Sequence, residues 1–539
     1  MRRKLTLALA MAMALVMLVS SAMACTTFGI GKDATADGST IVTHTCDSTT
    51  DDSRLWIIPQ MKGGEDVRRD IVMNGHAYGD WSNYPEVKDY GAGVVLADMP
   101  QPDDTYQYLH GNYSFMNEHG VAMGESTCWF IPGTEHTDKL AELFFKDNTG
   151  IIDCYQAQHI AMERATTARE AVRIMGDLVE EYGWNASAEN MNICDGEEVW
   201  IAEFYGRDLW CAVRIPDDAF FVCANRCRIN EIDFDDTENY MYSPNLKQFA
   251  IDNGLWSEES GDPFQPANIY CPYSDPYCNR REWRALSLVA PSLNLDPNAD
   301  YYPLYVTPEK KLSVQDVFML NSDYYQGTEY DVTLTPEAGP FGNPLNYRHN
   351  ERTINLYRCT YQIIANVKSW LPDEAKCLVW YGQGAADSSF VVPLWASMTR
   401  LPEMYGIGTR YDKFDRNSAW WIAQYVQQTA SQNYQHAIET IHAARDPRMA
   451  AQYEEVEKMQ SAVAALVEAG QSDTAVELLT DYAYKNAEDW YAYWLDLGDQ
   501  LYSTYMFDRV NMNDADYPDW WQNILDNAPN RPVEETPAN

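Results

Sequence analysis

The chain has 539 residues, of which 46% are hydrophobic and 13% aromatic. That is enough to bury a large core, and it excludes a disordered polymer. A formal net charge of −41 excludes a face for nucleic acid or anionic lipid, because phosphate needs basic partners.

The N-terminus reads as an export leader. Arg2, Arg3 and Lys4 are positive, residues 5–19 are almost wholly apolar, and Ala22-Met23-Ala24 is a small-x-small cleavage site. No later run reaches the roughly 18 apolar residues of a membrane span. Cleavage between Ala24 and Cys25 makes Cys25 the first mature residue, with a free α-amine, and predicts a secreted, periplasmic or cell-surface protein. The rival reading is a lipoprotein leader. Ala24 permits it, but Ala22 stands where such leaders usually carry Leu. Lipidation would block the thiol, so the two readings exclude each other.

Residues 26–30 and 40–43 read as strands joined across the Asp37-Gly38 turn. Gly29-x-Gly31-x-x-Ala34 imitates a dinucleotide fingerprint, but a turn follows where that motif needs a helix. Residues 112–130 read as strand, turn and strand, with the turn at 117–120. Thr167-x-x-Glu170 is a capping box opening a helix that Gly183 closes. Residues 190–194, 198–204, 209–215 and 219–224 read as a meander of short strands whose tight turns demand antiparallel pairing. Residues 260–310 read as long loops around a short helix at 284–289. Helical periodicity takes over at 418–444, 448–470 and 472–505. The expected organisation is a leader at 1–24, a catalytic domain at 25–410, a helical region at 411–525 and a frayed tail at 526–539. The fold class is α+β, with antiparallel sheets layered against helices.

Twelve cysteines are present. Setting Cys25 aside leaves an odd number, so at least one more is free or pairs between chains. Cys223 with Cys227, and Cys271 with Cys278, are close enough in sequence for disulfides or could equally be buried thiols. Neither has a Cys-x-x-Cys spacing and no His-Glu-x-x-His occurs, so no metal site is expected.

A leading cysteine is a chemical device. The thiolate is the nucleophile, and the α-amine, with an ordinary pKa of about 7.7–8.0, is a base on the same residue. The uncut chain, with an amide at that nitrogen, is expected to be inactive. An acid to orient the amine and an oxyanion donor complete such a site.

Residues 25–40, Cys-Thr-Thr-Phe-Gly-Ile-Gly-Lys-Asp-Ala-Thr-Ala-Asp-Gly-Ser-Thr, resemble the N-terminal signature of the secreted dipeptidase A family. These are cysteine-type N-terminal-nucleophile hydrolases related to bile-salt hydrolases and penicillin V acylases. Weaker blocks follow in the family's order, at 117–126, 199–203, 224–226, 280–287, 338–344, 351–354 and 418–421.

The resemblance implies a four-layer αββα fold, hydrolysis of dipeptides and no cofactor. It makes Cys25 the nucleophile and base, Asp47 the group orienting the amine, Asn225 the oxyanion donor and Arg281 the active-site arginine, with Arg284 second. One departure stands out: His44 occupies a position where the superfamily usually carries arginine. A substrate-binding role falls to His44 and to Glu125, whose carboxylate suits a substrate amine. Rival readings are an N-acyl amide hydrolase of the same superfamily and a lipid-anchored ligand-binding protein.

Overall fold

The structure, a computed structural model, describes residues 25–49, 51–62, 67–73, 94–408 and 410–529. The expected leader at 1–24 and residues 530–539 of the expected tail lie outside them.

In chain order the strands are β1 (Thr27–Ile30), β2 (Thr40–Asp47), β3 (Trp56–Ile58), β4 (Arg68–Met73), β5 (Val94–Pro100), β6 (Tyr108–His110), β7 (Ser114–Asn117) and β8 (Ala122–Cys128). They continue as β9 (Ala188–Cys194), β10 (Val199–Gly206), β11 (Leu209–Arg214), β12 (Phe220–Cys223), β13 (Tyr240–Tyr242), β14 (Tyr305–Val306), β15 (Cys359–Val367), β16 (Cys377–Gln383) and β17 (Val392–Trp395). One sheet has seven strands in the order β14-β12-β1-β2-β15-β16-β17 and the other eight, β13-β11-β10-β9-β8-β7-β6-β3. Every pairing within them is antiparallel, as the tight turns demanded.

The two sheets face each other through β1 and β2 on one side and β8 and β9 on the other. Their strands are buried along both faces, because helices cover the outer sides. The Cys154–Arg164 and Ala168–Tyr182 helices lie on the eight-stranded sheet, and the Pro276–Val289, Ala419–Ala430 and Ser472–Thr504 helices on the seven-stranded one. The result is the expected αββα sandwich.

Local signals explain the elements. Gly38 takes φ +84° in the β1–β2 turn, a conformation that suits glycine. Thr167 caps the Ala168–Tyr182 helix by accepting from the Glu170 amide, and Gly183, at φ +75°, ends it. The predicted meander is broken at its last step. The turn at 216–218 carries the chain across to the other sheet, where β12 pairs with β1. The amide of Asp33 donates to Asp217 O at 2.8 Å and that of Gly31 to Ala219 O at 2.9 Å.

The C-terminal helices do not hang off the sandwich. Phe390 stacks on Trp490 at 4.7 Å between ring centroids and meets Trp494 edge-on at 4.9 Å. Gln452 and Gln460 donate to the carbonyls of Val391 and Ala375. Residues on both sides of position 410 therefore share one core. The expected break near 444–448 also moves: the Tyr434–Glu468 helix runs through Pro447, and the interruption falls at 431–433, where Ser and Asn side chains compete for the backbone. All twelve cysteines are buried thiols.

Candidate active site

Cys25 lies two residues before β1, and it is 1% exposed. The seven-stranded sheet holds it from one side: the Thr45 amide donates to Thr26 O at 3.1 Å, and the Thr26 amide donates to Thr45 Oγ1 at 3.1 Å. The facing sheet supplies Glu125 from the middle of β8. Cys25 Sγ donates to Glu125 Oε1 at 3.1 Å. His44, on β2, places Nε2 3.2 Å from the same oxygen, a close polar contact not aligned as a hydrogen bond. The three ligand-type atoms of Cys25, His44 and Glu125 all lie within 4.8 Å of one another.

The backbones touch here. A Cβ added at Gly124 would lie 2.2 Å from Thr43 O, so only glycine lets β8 come this close to β2. The imidazole of His44 is gripped edge-on by the rings of Tyr113 and Tyr361, at 5.1 and 5.6 Å.

Arg281 is fully buried and serves the cysteine's backbone. Its Nη1 donates to Cys25 O at 2.8 Å and to Thr26 Oγ1 at 2.9 Å. Nη2 donates to Ala224 O and to Asn225 Oδ1, the latter at 2.7 Å. Ser126 Oγ adds a second donor to Cys25 O at 3.3 Å. The helix carrying Arg281 starts at Pro276 with Asp275 as its cap, and Glu282 ties it down by pairing with Arg226 and Arg228.

Asn225 follows β12 at φ +65°, a left-handed conformation that Asn tolerates. Its amide donates to Ser126 Oγ at 3.0 Å, and its Nδ2 donates to Thr127 O at 2.9 Å. Asp47 ends β2, where its Oδ2 accepts from Arg352 and, at 3.0 Å, from Thr45 Oγ1. Its Oδ1 is buried and accepts no bond of hydrogen-bonding geometry among the described residues. Arg284 turns away to pair with Asp323.

Charge sets the protonation pattern. Burial, then the charge of Glu125, pushes the Cys25 thiol well above its ordinary value, and Asp47 adds to the effect. Burial also pushes Glu125 up, but contacts with His44, Glu189 and the thiol outweigh it and leave its carboxyl below the usual range. Burial and the neighbouring Glu125 raise Glu189 well above the usual range, so Glu189 holds the proton of that pair. In the uncut chain, whose Cys25 nitrogen is an amide, the site is a protonated thiol facing a carboxylate.

A model of peptidase family C69 matches residues 24–446. The chain belongs to peptidase family C69. Among curated relatives, it is 26% identical over 425 residues to a probable dipeptidase of Latilactobacillus sakei, covering 76% of this chain and 82% of that one. It is 26% identical over 415 residues to a dipeptidase of Bifidobacterium longum, covering 70% and 72%. A probable dipeptidase A of Streptococcus pyogenes is 24% identical over 429 residues, covering 77% and 84%. The C69 match begins beside Cys25 and extends past position 410 into the C-terminal helices.

The structure thus gathers Cys25, His44, Glu125, Asn225 and Arg281 around one residue, with Asp47 close enough for its charge to bear on the thiol. Sequence reasoning missed Ser126, Glu189 and Arg352. Arg352 lay in the 351–354 block without a role. It lines a cleft of about 460 Å³ together with Tyr277, His349, Glu351 and Arg358. The Tyr277 ring bridges this cleft to the site, lying 4.9 Å from the Arg281 guanidinium and 5.9 Å from that of Arg352. Among the described residues, no helix is long and apolar enough to cross a membrane.

Proposed function

We propose that this member of peptidase family C69 is an exported, cysteine-type dipeptidase that becomes active when cleavage after Ala24 frees the amine of Cys25. The observation that carries the reading is the way Cys25 is held. Its carbonyl is fixed by Arg281 and Ser126 while its thiol points at Glu125, so the residue's position is set before chemistry begins.

In this reading the new α-amine takes the thiol proton, and the thiolate attacks the peptide carbonyl. Asp47, with a buried oxygen still available, orients the amine. The oxyanion is held by a backbone amide and by Asn225, whose Nδ2 turns from Thr127 O toward it. The amine then protonates the leaving nitrogen, and water hydrolyses the thioester. Arg281 is a positioning residue, since its donors are already engaged by Cys25, Thr26, Ala224 and Asn225. The cleft beside Tyr277 is the substrate's entry, with Arg358 on its wall for the substrate carboxylate and Arg352 holding Asp47. The dipeptidase names of the relatives support this substrate class.

The test is to express the chain with its leader, purify the exported form and measure its intact mass. A mass starting at unmodified Cys25, with hydrolysis of dipeptides faster than of N-acyl amino acids, is expected. An added lipid, or an intact leader on active enzyme, would overturn the reading. The reverse substrate order would make it an acylase.

A further inference from the structure

Thiolate, imidazole and carboxylate are the donors that zinc-class cations prefer, and the structure brings one of each to a single buried point. Tetrahedral zinc, with sulfur at about 2.3 Å and nitrogen or oxygen at about 2.0–2.1 Å, sets its ligand atoms roughly 3.3–3.6 Å apart. Cys25 Sγ to Glu125 Oε1 is 3.1 Å, and His44 Nε2 to Glu125 Oε1 is 3.2 Å. The third edge is within 4.8 Å. Lengthening the two short edges by a few tenths of an ångström, and closing the third to about 3.6 Å, makes this triangle one face of a coordination tetrahedron.

A second observation is independent of the spacing. His44 is 0% exposed, yet neither of its ring nitrogens makes a bond of hydrogen-bonding geometry among the described residues. A buried imidazole nitrogen whose carboxylate neighbour lies out of hydrogen-bonding line has a lone pair to give to a cation held by that carboxylate. Charge also balances: a dication on one thiolate and one carboxylate is neutral, which suits a dry interior. Arginine at position 44 could not play this part, because guanidinium has no lone pair to give.

We infer that Cys25, His44 and Glu125 form a reversible binding site for a zinc-class dication, which shuts off the thiol. Binding forms a bond from the metal to Cys25 Sγ, Glu125 Oε1 and His44 Nε2, and the thiol proton leaves to solvent. The fourth position goes to water, or to the α-amine of Cys25 once it is freed. The ion occupies the thiolate electron pair the proposed reaction needs, and the amine's as well when the amine is the fourth ligand, so it inhibits. Only this inhibitory consequence rests on the dipeptidase reading.

Cobalt(II) reports on the site directly. The chelator-treated full-length chain and its processed form are titrated with Co²⁺. One equivalent is expected to produce a sulfur-to-cobalt charge-transfer band that Zn²⁺ abolishes by displacement. The band should be lost in Cys25→Ser, and the affinity should fall at least about tenfold in His44→Gln. Absence of the band in the wild type overturns the site, and so does an undiminished band in Cys25→Ser, which would place the metal on other thiols. If His44→Gln fails to fold by circular dichroism, the wild-type and Cys25→Ser titrations still decide. Dipeptide assays run alongside separate the two readings. A band without hydrolysis sinks the peptidase proposal and leaves the site standing. Hydrolysis unaffected by saturating Zn²⁺ overturns the inhibitory role.

Discussion

Two buried thiols, Cys25 and Cys227, have different surroundings. Cys25 faces a carboxylate and an imidazole, and its thiol is pushed well up by burial and Glu125. Cys227 sits among sulfur. Burial pushes it up too, but hydrogen bonds from Cys128 and Cys271 outweigh this and bring it to about 6. By acidity alone Cys227 carries the larger share of thiolate. Among the described residues no arginine donates to its carbonyl, however, whereas the Cys25 carbonyl is fixed by two donors. A thiol's usefulness depends on what holds the atoms around it, and a low pKa by itself marks no active site.

The sharpest way to break this comparison is Cys25→Ala. Dipeptide hydrolysis by the processed enzyme should fall by at least about a thousandfold while the fold persists. Residual activity within tenfold of wild type would move the chemistry elsewhere. Next is Arg281→Gln, which strands buried acceptors at Cys25, Thr26, Ala224 and Asn225. Stability in urea should drop by on the order of 3 kcal/mol or more, with kcat falling more than KM rises. An unchanged urea midpoint would show that the clasp contributes little.

A third test sets two buried histidines side by side. His44 has Glu125 beside it, whereas burial alone pulls His110 down to about 3. The unfolded chain therefore binds more protons than the folded one between about pH 6.5 and 3. The stability is fully present above pH 6.5 and is lost as pH falls through that window, by on the order of a few kcal/mol. His110→Gln should flatten the pH dependence of the urea midpoint, and an equal slope in both proteins would refute the cause. The smallest effect is expected at Cys227→Ala. Activity should stay within about twofold, and stability should fall by about 1–2 kcal/mol from lost packing. A large loss of kcat there would erase the contrast between the two thiols.

Much of this was legible in the residues, and the exceptions have physical reasons. The Thr167 cap and the Gly183 stop are local signals, and both gave a helix end to the residue. The leading-cysteine signature runs through β1 and its turn to the start of β2. The crossing at 216–218 was not legible, because an antiparallel turn within a sheet and one between sheets have the same composition. Glu125, a strand residue, showed no sign of Glu189 as its partner, since that pairing depends on the β8–β9 register. Arg281 and Arg284 sit one helical turn apart, and only the packed helix shows which faces Cys25 and which faces Asp323.

The clasp on Cys25 comes from 256 residues further along the chain. Ribosomes make the reactive end first and its restraints much later. A nascent chain stopped before position 281 would carry the sulfur without the guanidinium that fixes it, and before position 352 it would lack the partner of Asp47 as well. On the function proposed above, competence is deferred by the order of synthesis itself, a temporal safeguard additional to the proposed removal of a leader.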